Sequence, residues 1–276
     1  MDKSKKNKNG WKILYILLVV ACLLCIGGMV LYLMKGTAGE LTVENDTMEE
    51  TASGEVAVSE ELAEEAKELA ELPVDFEKLQ MENPEIYAWI CIPGTKIDYP
   101  ILQHEGEDQG YYLTRDLHGE NSKAGSIYTE HYNRKDFTDP NTVIYGHNMK
   151  NGSMFHNLRY FAEREYFEEH EELYIYVPGK ILKYQIFSCY EYDDRHILGS
   201  FDFSDEEVYA SYLKDIMNPR SMYTMLREDV ALTTENCIVT LSTCVANRPN
   251  NRRLLQAVFV EEIEAEYRGA ADETES

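Results

Sequence analysis

Short runs of β-branched and aromatic residues, separated by turn sequences, recur along most of this chain and limit the folds open to it. One run, residues 87–92, is followed directly by the turn residues Pro93 and Gly94. Closure of such an array removes exposed sheet edges, so we predict a mainly β fold, a closed antiparallel-type barrel of about eight strands. The predicted strands are residues 87–92, 97–102, 125–128, 142–145, 172–177, 181–190, 237–244 and 253–263.

Helical patterns are few and are expected at the periphery of this barrel. Residues 154–161 form one candidate. Residues 204–217 form another, and Ser204 and Glu207 there have the spacing of a capping box. Residues 59–72 carry leucine and alanine at helical spacing and predict a short amphipathic helix ahead of the barrel.

The N-terminal segment predicts a membrane anchor. Residues 13–34 contain no charged side chain, and a helix of that length extends roughly 33 Å, enough to cross a bilayer. Lysines are concentrated in residues 1–12, whereas Lys35 alone follows the apolar stretch directly, which favours a cytoplasmic N-terminus. A cleaved signal peptide is the alternative, but its apolar region is usually about 7–15 residues long. We therefore expect a single-pass protein of the cell membrane with its main domain outside the cell.

Composition divides the rest of the chain and excludes some partners. Residues 35–75 form an acidic linker containing the short helix, residues 76–265 form one domain, and residues 266–276 form an acidic, disordered tail. The formal net charge of −24 repels phosphate backbones, so nucleic acid is not an expected partner. No cysteine or histidine spacing predicts a metal site, and no cofactor is implied.

Three side chains carry candidate chemistry. Cys244 ends the predicted strand 237–244, His147 follows the strand 142–145, and the arginines Arg252 and Arg253 come shortly after Cys244. A thiol near cations can lose its proton and attack a carbonyl. Taken singly, each of these residues also fits a structural role, as a packed thiol, a structural histidine or a salt-bridge partner. The other cysteines of the domain, Cys91, Cys189 and Cys237, are interpreted as packed thiols without disulfides.

Together these residues resemble the sortases, and specifically their class B branch. The resemblance rests on the segments 145–149 (YGHNM) and 240–244 (TLSTC) and on the arginine eight residues beyond Cys244. It extends to residues 83–90, 92–100, 111–113 and 122–127, and covers about residues 76–265. The fold that it implies is the sortase-type β-barrel.

The resemblance implies a cysteine transpeptidase with defined roles for these residues. Cys244 would be the nucleophile, His147 the general acid and base, and an arginine would stabilise the acyl oxygen. Arg252 and Arg253 leave opposite faces of a strand, so only one can face the thiol. The family places its arginine five residues before a small residue, which selects Arg252 through Ala257. Ser242 and Thr243 either line the groove for the sorting signal or fill the strand.

The implied partners are exported proteins and an amine. A sortase cleaves a C-terminal sorting signal, NPxTN-like or PxTG-like, holds the acyl part as a thioester, and transfers it to an amine of a cell-wall precursor or a pilin. Two alternatives stay open on the residues alone. One is a cysteine peptidase that mainly hydrolyses, and the other is an inactive surface binding module on a sortase-like barrel.

Overall fold

Eight strands close into a barrel in the computed structural model, which describes residues 69–269. The barrel order is β10-β9-β5-β4-β3-β2-β6-β7, and β7 pairs back with β10 to complete the ring. The short strand β1 pairs with the C-terminal end of β10, and β8 pairs with Ser188 and Cys189 within β7. In chain order the strands are β1 (Ala70–Glu71), β2 (Ile86–Cys91), β3 (Asp98–Leu102), β4 (Ile127–Thr129), β5 (Asn141–Tyr145), β6 (Glu172–Val177), β7 (Lys180–Asp193), β8 (Met225–Leu226), β9 (Ile238–Val245) and β10 (Arg248–Glu266).

The core fills the inside of this ring with side chains from alternate strand positions. Ile144 of β5 and Leu241 of β9 face each other in register and are fully buried, as is Leu255 of β10. β10 pairs with β9 along one edge and with β7 along the other, and its ladder to β7 shifts register at Gln256/Ala257 and again at Phe259/Glu261. Such irregularities bend a strand, which helps the sheet to close. The predicted closed barrel of eight strands is confirmed.

The expectation of an antiparallel-type barrel is wrong at two places. β3 pairs with β4 in parallel, and β5 pairs with β9 in parallel. A parallel pair needs a long crossover, and the chain between β5 and β9 includes β6, β7 and β8 together with most of the helices. Local alternation of apolar residues does not reveal which distant strand will be the neighbour.

The helices lie outside the ring. They are α1 (Phe76–Glu82), α2 (Arg164–Glu169), α3 (Ile197–Ser200) and α4 (Glu206–Ile216), with 3₁₀ turns at Tyr111–Leu113 and Phe155–Ala162. The predicted helix at residues 154–161 is therefore a 3₁₀ segment. α4 packs Tyr209 and Leu213 into a second apolar cluster that includes Val143 and Val258 from the barrel wall.

The predicted capping box of α4 is wrong in detail. Asp205, not Ser204, occupies the N-cap, and its side chain accepts hydrogen bonds from the backbone N–H groups of Glu207 (2.9 Å) and Val208 (3.2 Å). The Ser204 hydroxyl instead donates to Asp202 Oδ1 at 2.5 Å. Either residue type can cap a helix, so the sequence pattern left the first turn ambiguous.

The C-terminal end of the predicted helix 59–72 is a strand. Ala70 and Glu71 pair in parallel with Ala265 and Glu266, and Leu72 donates its N–H to the Glu266 carbonyl at 2.8 Å. The rest of that predicted helix, the predicted anchor at residues 13–34 and most of the predicted tail lie outside the described residues. Within residues 69–269, no helix has the length and apolar character needed to cross a membrane.

Candidate active site

Cys244 is presented to solvent by a strand whose preceding residues are buried. Leu241, Ser242 and Thr243 of β9 are each at most 6% exposed, whereas Cys244 is exposed. β9 lies between β5 and β10 in the barrel, so both flanks of the strand are held by hydrogen-bonded neighbours. The thiol is therefore accessible while its strand is held on both sides.

His147 reaches the same end of the barrel because β5 runs parallel to β9. The ladder pairs Tyr145 with Ser242 and ends with the Gly146 N–H donating to the Ser242 carbonyl at 3.2 Å. A Cβ at Gly146 would lie 2.4 Å from Ile127 Cδ1 and 2.7 Å from Phe155 Cδ2, so only glycine fits at this packing distance. This close packing fixes the path of the backbone at the end of β5 and therefore the position of His147.

A backbone carbonyl fixes the His147 ring. The ring Nε2 lies 2.8 Å from the carbonyl oxygen of Leu113 in the 3₁₀ turn Tyr111–Leu113. Because a carbonyl only accepts, Nε2 carries the hydrogen, and Nδ1 is the nitrogen left to exchange a proton when the ring is neutral. Sequence reasoning missed this contact, since a backbone oxygen leaves no residue-type signal.

The structure separates the two adjacent arginines as strand parity predicts. Arg252 is the register partner of Cys244 and lines the same cleft. Its Nη1 donates to the carbonyls of Pro249 (2.8 Å) and Asn251 (3.2 Å), while its Nη2 and Nε have no hydrogen-bond partner within residues 69–269. The guanidinium is thus anchored on one side and keeps donors available on the other.

Arg253 points to the opposite face and is buried there. Its Nη2 donates to Glu191 Oε1 at 2.8 Å, and the same carboxylate also binds Arg248 at 2.5 Å. Arg253 is only 8% exposed, so a carboxylate within the fold, and not solvent, compensates its charge. The need to pair a buried guanidinium explains why Glu191 stands opposite it in the β7 ladder.

The three predicted residues His147, Cys244 and Arg252 line one cleft of about 300 Å³. Ser242 and Thr243 also line it, and the Thr243 hydroxyl donates to the Gly146 carbonyl at 2.6 Å, so this side chain joins β9 to the His147 loop. The volume of the cleft lies at the lower end of the range of about 300–1,000 Å³ that is usual for ligand pockets.

Tyr128, Tyr145 and His196 also line the cleft, and His196 is paired with a carboxylate outside it. Tyr128 and Tyr145 stack with centroids 5.4 Å apart, and His196 Nε2 lies 2.6 Å from Glu130 Oε2. Burial raises the pKa of both phenols well above the ordinary value, and the Glu130 carboxylate raises it further. Both phenols therefore stay protonated at neutral pH and are not candidate bases.

Two further polar side chains adjoin the predicted site. Asn148 Nδ2 donates to the backbone carbonyl of Cys244 at 2.9 Å, and Asn148 Oδ1 lies 2.9 Å from His156 Nδ1. Asn148 lies inside the segment that carries the resemblance, but sequence reasoning gave it no role. The signal in the sequence that could have indicated a role for Asn148 is its position directly after His147.

The remaining cysteines lie away from the cleft and form no disulfide among residues 69–269. Cys189 is buried, while Cys91 and Cys237 are partly buried. The Cys237 thiol contacts the Thr138 carbonyl at 3.6 Å. The described residues contain no cluster of three histidine, cysteine or carboxylate side chains suited to a metal ion.

Comparison with known proteins identifies the family of this chain. Residues 90–260 match the family profile of the sortase domain. Sortase B of Listeria monocytogenes is 36% identical over 167 residues, which are 60% of this chain and 65% of that protein. This chain thus spans slightly less than two thirds of that relative.

Solved structures agree with this match. Sortase B of Clostridium perfringens aligns with a TM-score of 0.61 and 31% identity, covering 68% of this chain and 100% of that one. A substrate complex of Staphylococcus aureus sortase B aligns with a TM-score of 0.59 and 27% identity, covering 67% of this chain and 84% of that one.

The chain belongs to the sortase family. Within that family it resembles class B members in both sequence and fold, so the predicted class B resemblance is confirmed.

Proposed function

We propose that this protein is a cysteine transpeptidase that cleaves a C-terminal sorting signal and transfers the acyl group to an amine. The observation that carries the proposal is the convergence of an exposed thiol, a ring held by a backbone carbonyl and a guanidinium with unused donors in one cleft. The S. aureus relative solved as a substrate complex supports a substrate-binding role for this fold.

The first step is acylation of Cys244. His147 accepts the thiol proton, sulfur attacks the scissile carbonyl carbon, and a tetrahedral oxyanion forms. The C–N bond then breaks, the departing amine takes the proton from His147, and the acyl group remains on sulfur as a thioester. Since Leu113 holds Nε2 of the ring, Nδ1 is the nitrogen that carries this proton.

Arg252 stabilises the oxyanion of both tetrahedral intermediates. Its Nη1 donates to the carbonyls of Pro249 and Asn251, which orients the group, and its other donors, without a partner among residues 69–269, can meet the developing negative charge. Loss of one oxyanion donor typically lowers the rate by about 10²- to 10³-fold.

The second step resolves the thioester. Neutral His147 removes a proton from the incoming amine, whose nitrogen attacks the thioester carbonyl. The thiolate leaves and recovers a proton from the ring. A water molecule in place of the amine would give a free acid. The ratio of transfer to hydrolysis therefore distinguishes a transpeptidase from a hydrolytic peptidase.

Mass spectrometry of the full chain in detergent tests the proposal. Incubation with NPxTN-like and PxTG-like peptides plus triglycine is expected to yield a peptide joined to triglycine, with a thioester on Cys244 when the amine is omitted. We expect Cys244→Ala to abolish both species and His147→Ala to lower the rate by at least about 10²-fold. Cys237→Ala is the matched control and should retain activity, because the Cys237 thiol lies directly before β9 and outside the cleft.

The same experiment separates the alternatives. Free acid as the sole product, even at high triglycine concentration, would favour a hydrolytic cysteine peptidase. Binding of the peptides without any turnover, unchanged in Cys244→Ala, would favour an inactive binding module and contradict the transpeptidase.

We also propose that residues 13–34 anchor the enzyme in the cell membrane, with residues 1–12 in the cytoplasm and the catalytic domain outside. The uncharged stretch and the lysines before it support this orientation. Protease added to intact cells should digest the catalytic domain while leaving an N-terminal tag protected. Release of the full domain by high salt or alkaline washing would contradict an anchor.

A further inference from the structure

One side chain bridges the two segments that carry the thiol and the imidazole. Asn148 follows His147 directly, and its Nδ2 donates to the backbone carbonyl of Cys244 at 2.9 Å. On its other side, Asn148 Oδ1 lies 2.9 Å from His156 Nδ1, at the start of the 3₁₀ segment Phe155–Ala162.

The chemistry of the partners fixes the direction of both hydrogen bonds. The Cys244 carbonyl only accepts, so the amide nitrogen of Asn148 must face it and the amide oxygen must face His156. An amide oxygen only accepts, so His156 carries a hydrogen on Nδ1. His156 therefore holds the Asn148 amide in the one orientation that can donate to Cys244.

This bridge lies where the regular pairing of β9 ends on both sides. The β5 ladder stops at Tyr145 and Ser242, and Gly146 adds one last backbone bond to Ser242. On the other side, the β10 ladder breaks its register between Arg252 and Arg248, directly beyond Cys244. On the β5 side, Asn148 therefore contributes the outermost contact between the nucleophile strand and the histidine loop.

We propose that Asn148 is a positioning residue that sets the spacing between Cys244 and His147, and that His156 orients it for this task. The inference rests on the proposed function. Without the bridge, the Cys244 peptide and the His147 loop are joined only through Gly146, by its contacts with Ser242 and Thr243. Cys244 and His147 can then shift relative to each other, and the proton transfer between them slows while the rest of the cleft still binds the peptide. Misplacement by about 1 Å can lower a rate by about 10²-fold.

Steady-state kinetics of the full chain test this role. Asn148→Ala is expected to lower kcat for peptide transfer by about 10- to 100-fold with KM within about twofold of wild type. Asn151→Ala is the matched control, because Asn151 lies exposed on the same loop and its side chain serves only Ser153. Equal kcat for the two variants would overturn the proposal.

Variants of His156 separate positioning from a general loss of stability. Asparagine presents an amide N–H at the place of the imidazole Nδ1. We therefore expect His156→Ala to share the kcat defect of Asn148→Ala and His156→Asn to restore most of the rate. A defect of equal size in both His156 variants, following their melting temperatures, would overturn the orienting role of His156.

A structural readout distinguishes failure of this inference from failure of the proposed function. Amide hydrogen exchange measured by mass spectrometry does not depend on turnover. In Asn148→Ala, exchange should accelerate in the segments containing residues 146–149 and 244–248, and it should stay unchanged in Asn151→Ala. If wild type transfers no peptide, the proposed function fails; unchanged exchange in Asn148→Ala contradicts the bridge whether or not wild type is active.

Discussion

The four cysteines of the described residues differ in exposure, and only the exposed one suits a nucleophile. Burial raises the pKa of Cys189 to about 11. Burial, together with the nearby carboxylates Asp98 and Asp139, also raises the pKa of Cys91 and Cys237. Cys244 alone of the four is exposed. The thiolate is the reactive form of cysteine, so selectivity should follow these differences.

Alkylation of the native protein should modify the four thiols in the order of their accessibility. Brief treatment with iodoacetamide near pH 7 should modify Cys244 first, because the thiols of Cys91 and Cys237 are shielded and harder to ionise. Cys189 should stay unmodified until the protein unfolds. Peptide mass spectrometry after a time course measures the order.

Unfolding in urea is the control, since all four thiols should then react at similar rates. Faster modification of Cys91 or Cys237 than of Cys244 in the native protein would contradict the assignment of Cys244 as the accessible nucleophile.

At the same scale, the sequence identified side chains with distinctive chemistry but not the backbone groups around them. Cys244, His147 and Arg252 were candidates because their residue types and order match a family motif. The Leu113 carbonyl could not be foreseen, because every residue has one and its position depends on the fold of a distant 3₁₀ turn. The burial of Arg253 was missed because its partner Glu191 is remote along the chain.

The elements of the fold differ in how strongly local sequence determines them. α4 is the clearest case, since its first turn offers two candidate caps and the structure uses Asp205. The Asp205 carboxylate accepts two backbone hydrogen bonds at the positive end of the helix, whereas the Ser204 hydroxyl contacts Asp202.

Alanine variants at Asp205 and Ser204 test which of the two residues caps α4. Asp205→Ala should lower the free energy of unfolding by about 1 kcal/mol, because the first turn loses its cap. Ser204→Ala should cost less than about 0.5 kcal/mol, as is usual for exposed positions without such a role. Urea denaturation monitored by circular dichroism measures both.

A larger loss of stability in Ser204→Ala than in Asp205→Ala would support the Ser204–Glu207 capping box predicted from the sequence. A loss in both variants would indicate that Ser204 supports the cap through Asp202.

The strands were predictable from their apolar runs, whereas the pairing of strands that are distant along the chain was not. All eight barrel strands were expected from β-branched and aromatic runs bounded by turns, but the parallel pairs β3–β4 and β5–β9 depend on crossovers that no local pattern encodes. α1 was missed because its seven residues bury only Phe76, which gives almost no helical periodicity. Ala70 and Glu71 were expected in a helix, but they pair with the distant end of β10.

At the scale of the whole molecule, one carboxylate connects the start of the barrel to the 3₁₀ turn whose carbonyl holds the His147 ring. Glu85 accepts hydrogen bonds from the Tyr112 hydroxyl, from His104 Nδ1 (2.9 Å) and from the Glu105 N–H (2.9 Å). Burial pulls the pKa of Glu85 upward, but these hydrogen bonds outweigh it and hold the pKa below the ordinary value.

This lowered pKa predicts part of the acid sensitivity of folding. A carboxyl group with a lower pKa in the folded state stabilises the protein above its unfolded pKa, about 4.3, and that contribution is lost as pH falls through the folded value. Glu85→Gln should therefore lower the free energy of unfolding at pH 7 by about 1–3 kcal/mol. The difference from wild type should shrink as the pH falls below about 4. Urea titrations between pH 7 and pH 3 measure this.

Glu105→Gln is the matched control, since the Glu105 side chain is 76% exposed and contributes only its backbone N–H to this cluster. Parallel pH curves for wild type and Glu85→Gln would show that the carboxylate contributes nothing to the acid response.

The opposed positions of Cys244 and Arg252 in adjacent strands bear on how such a protein can change over evolution. Their relation follows from the β9–β10 ladder, so insertions or deletions at the turn residues Ala246 and Asn247 can alter the cleft entrance while Cys244 and Arg252 stay paired. The carbonyls of Pro249 and Asn251, which hold the Arg252 guanidinium, lie outside that turn. A slip of the ladder by a single residue has the opposite effect, because it would turn Arg252 inward, bring Arg253 to the thiol and separate Arg253 from the Glu191 carboxylate. The length of the turn between β9 and β10 can therefore vary, whereas the register of the two strands cannot.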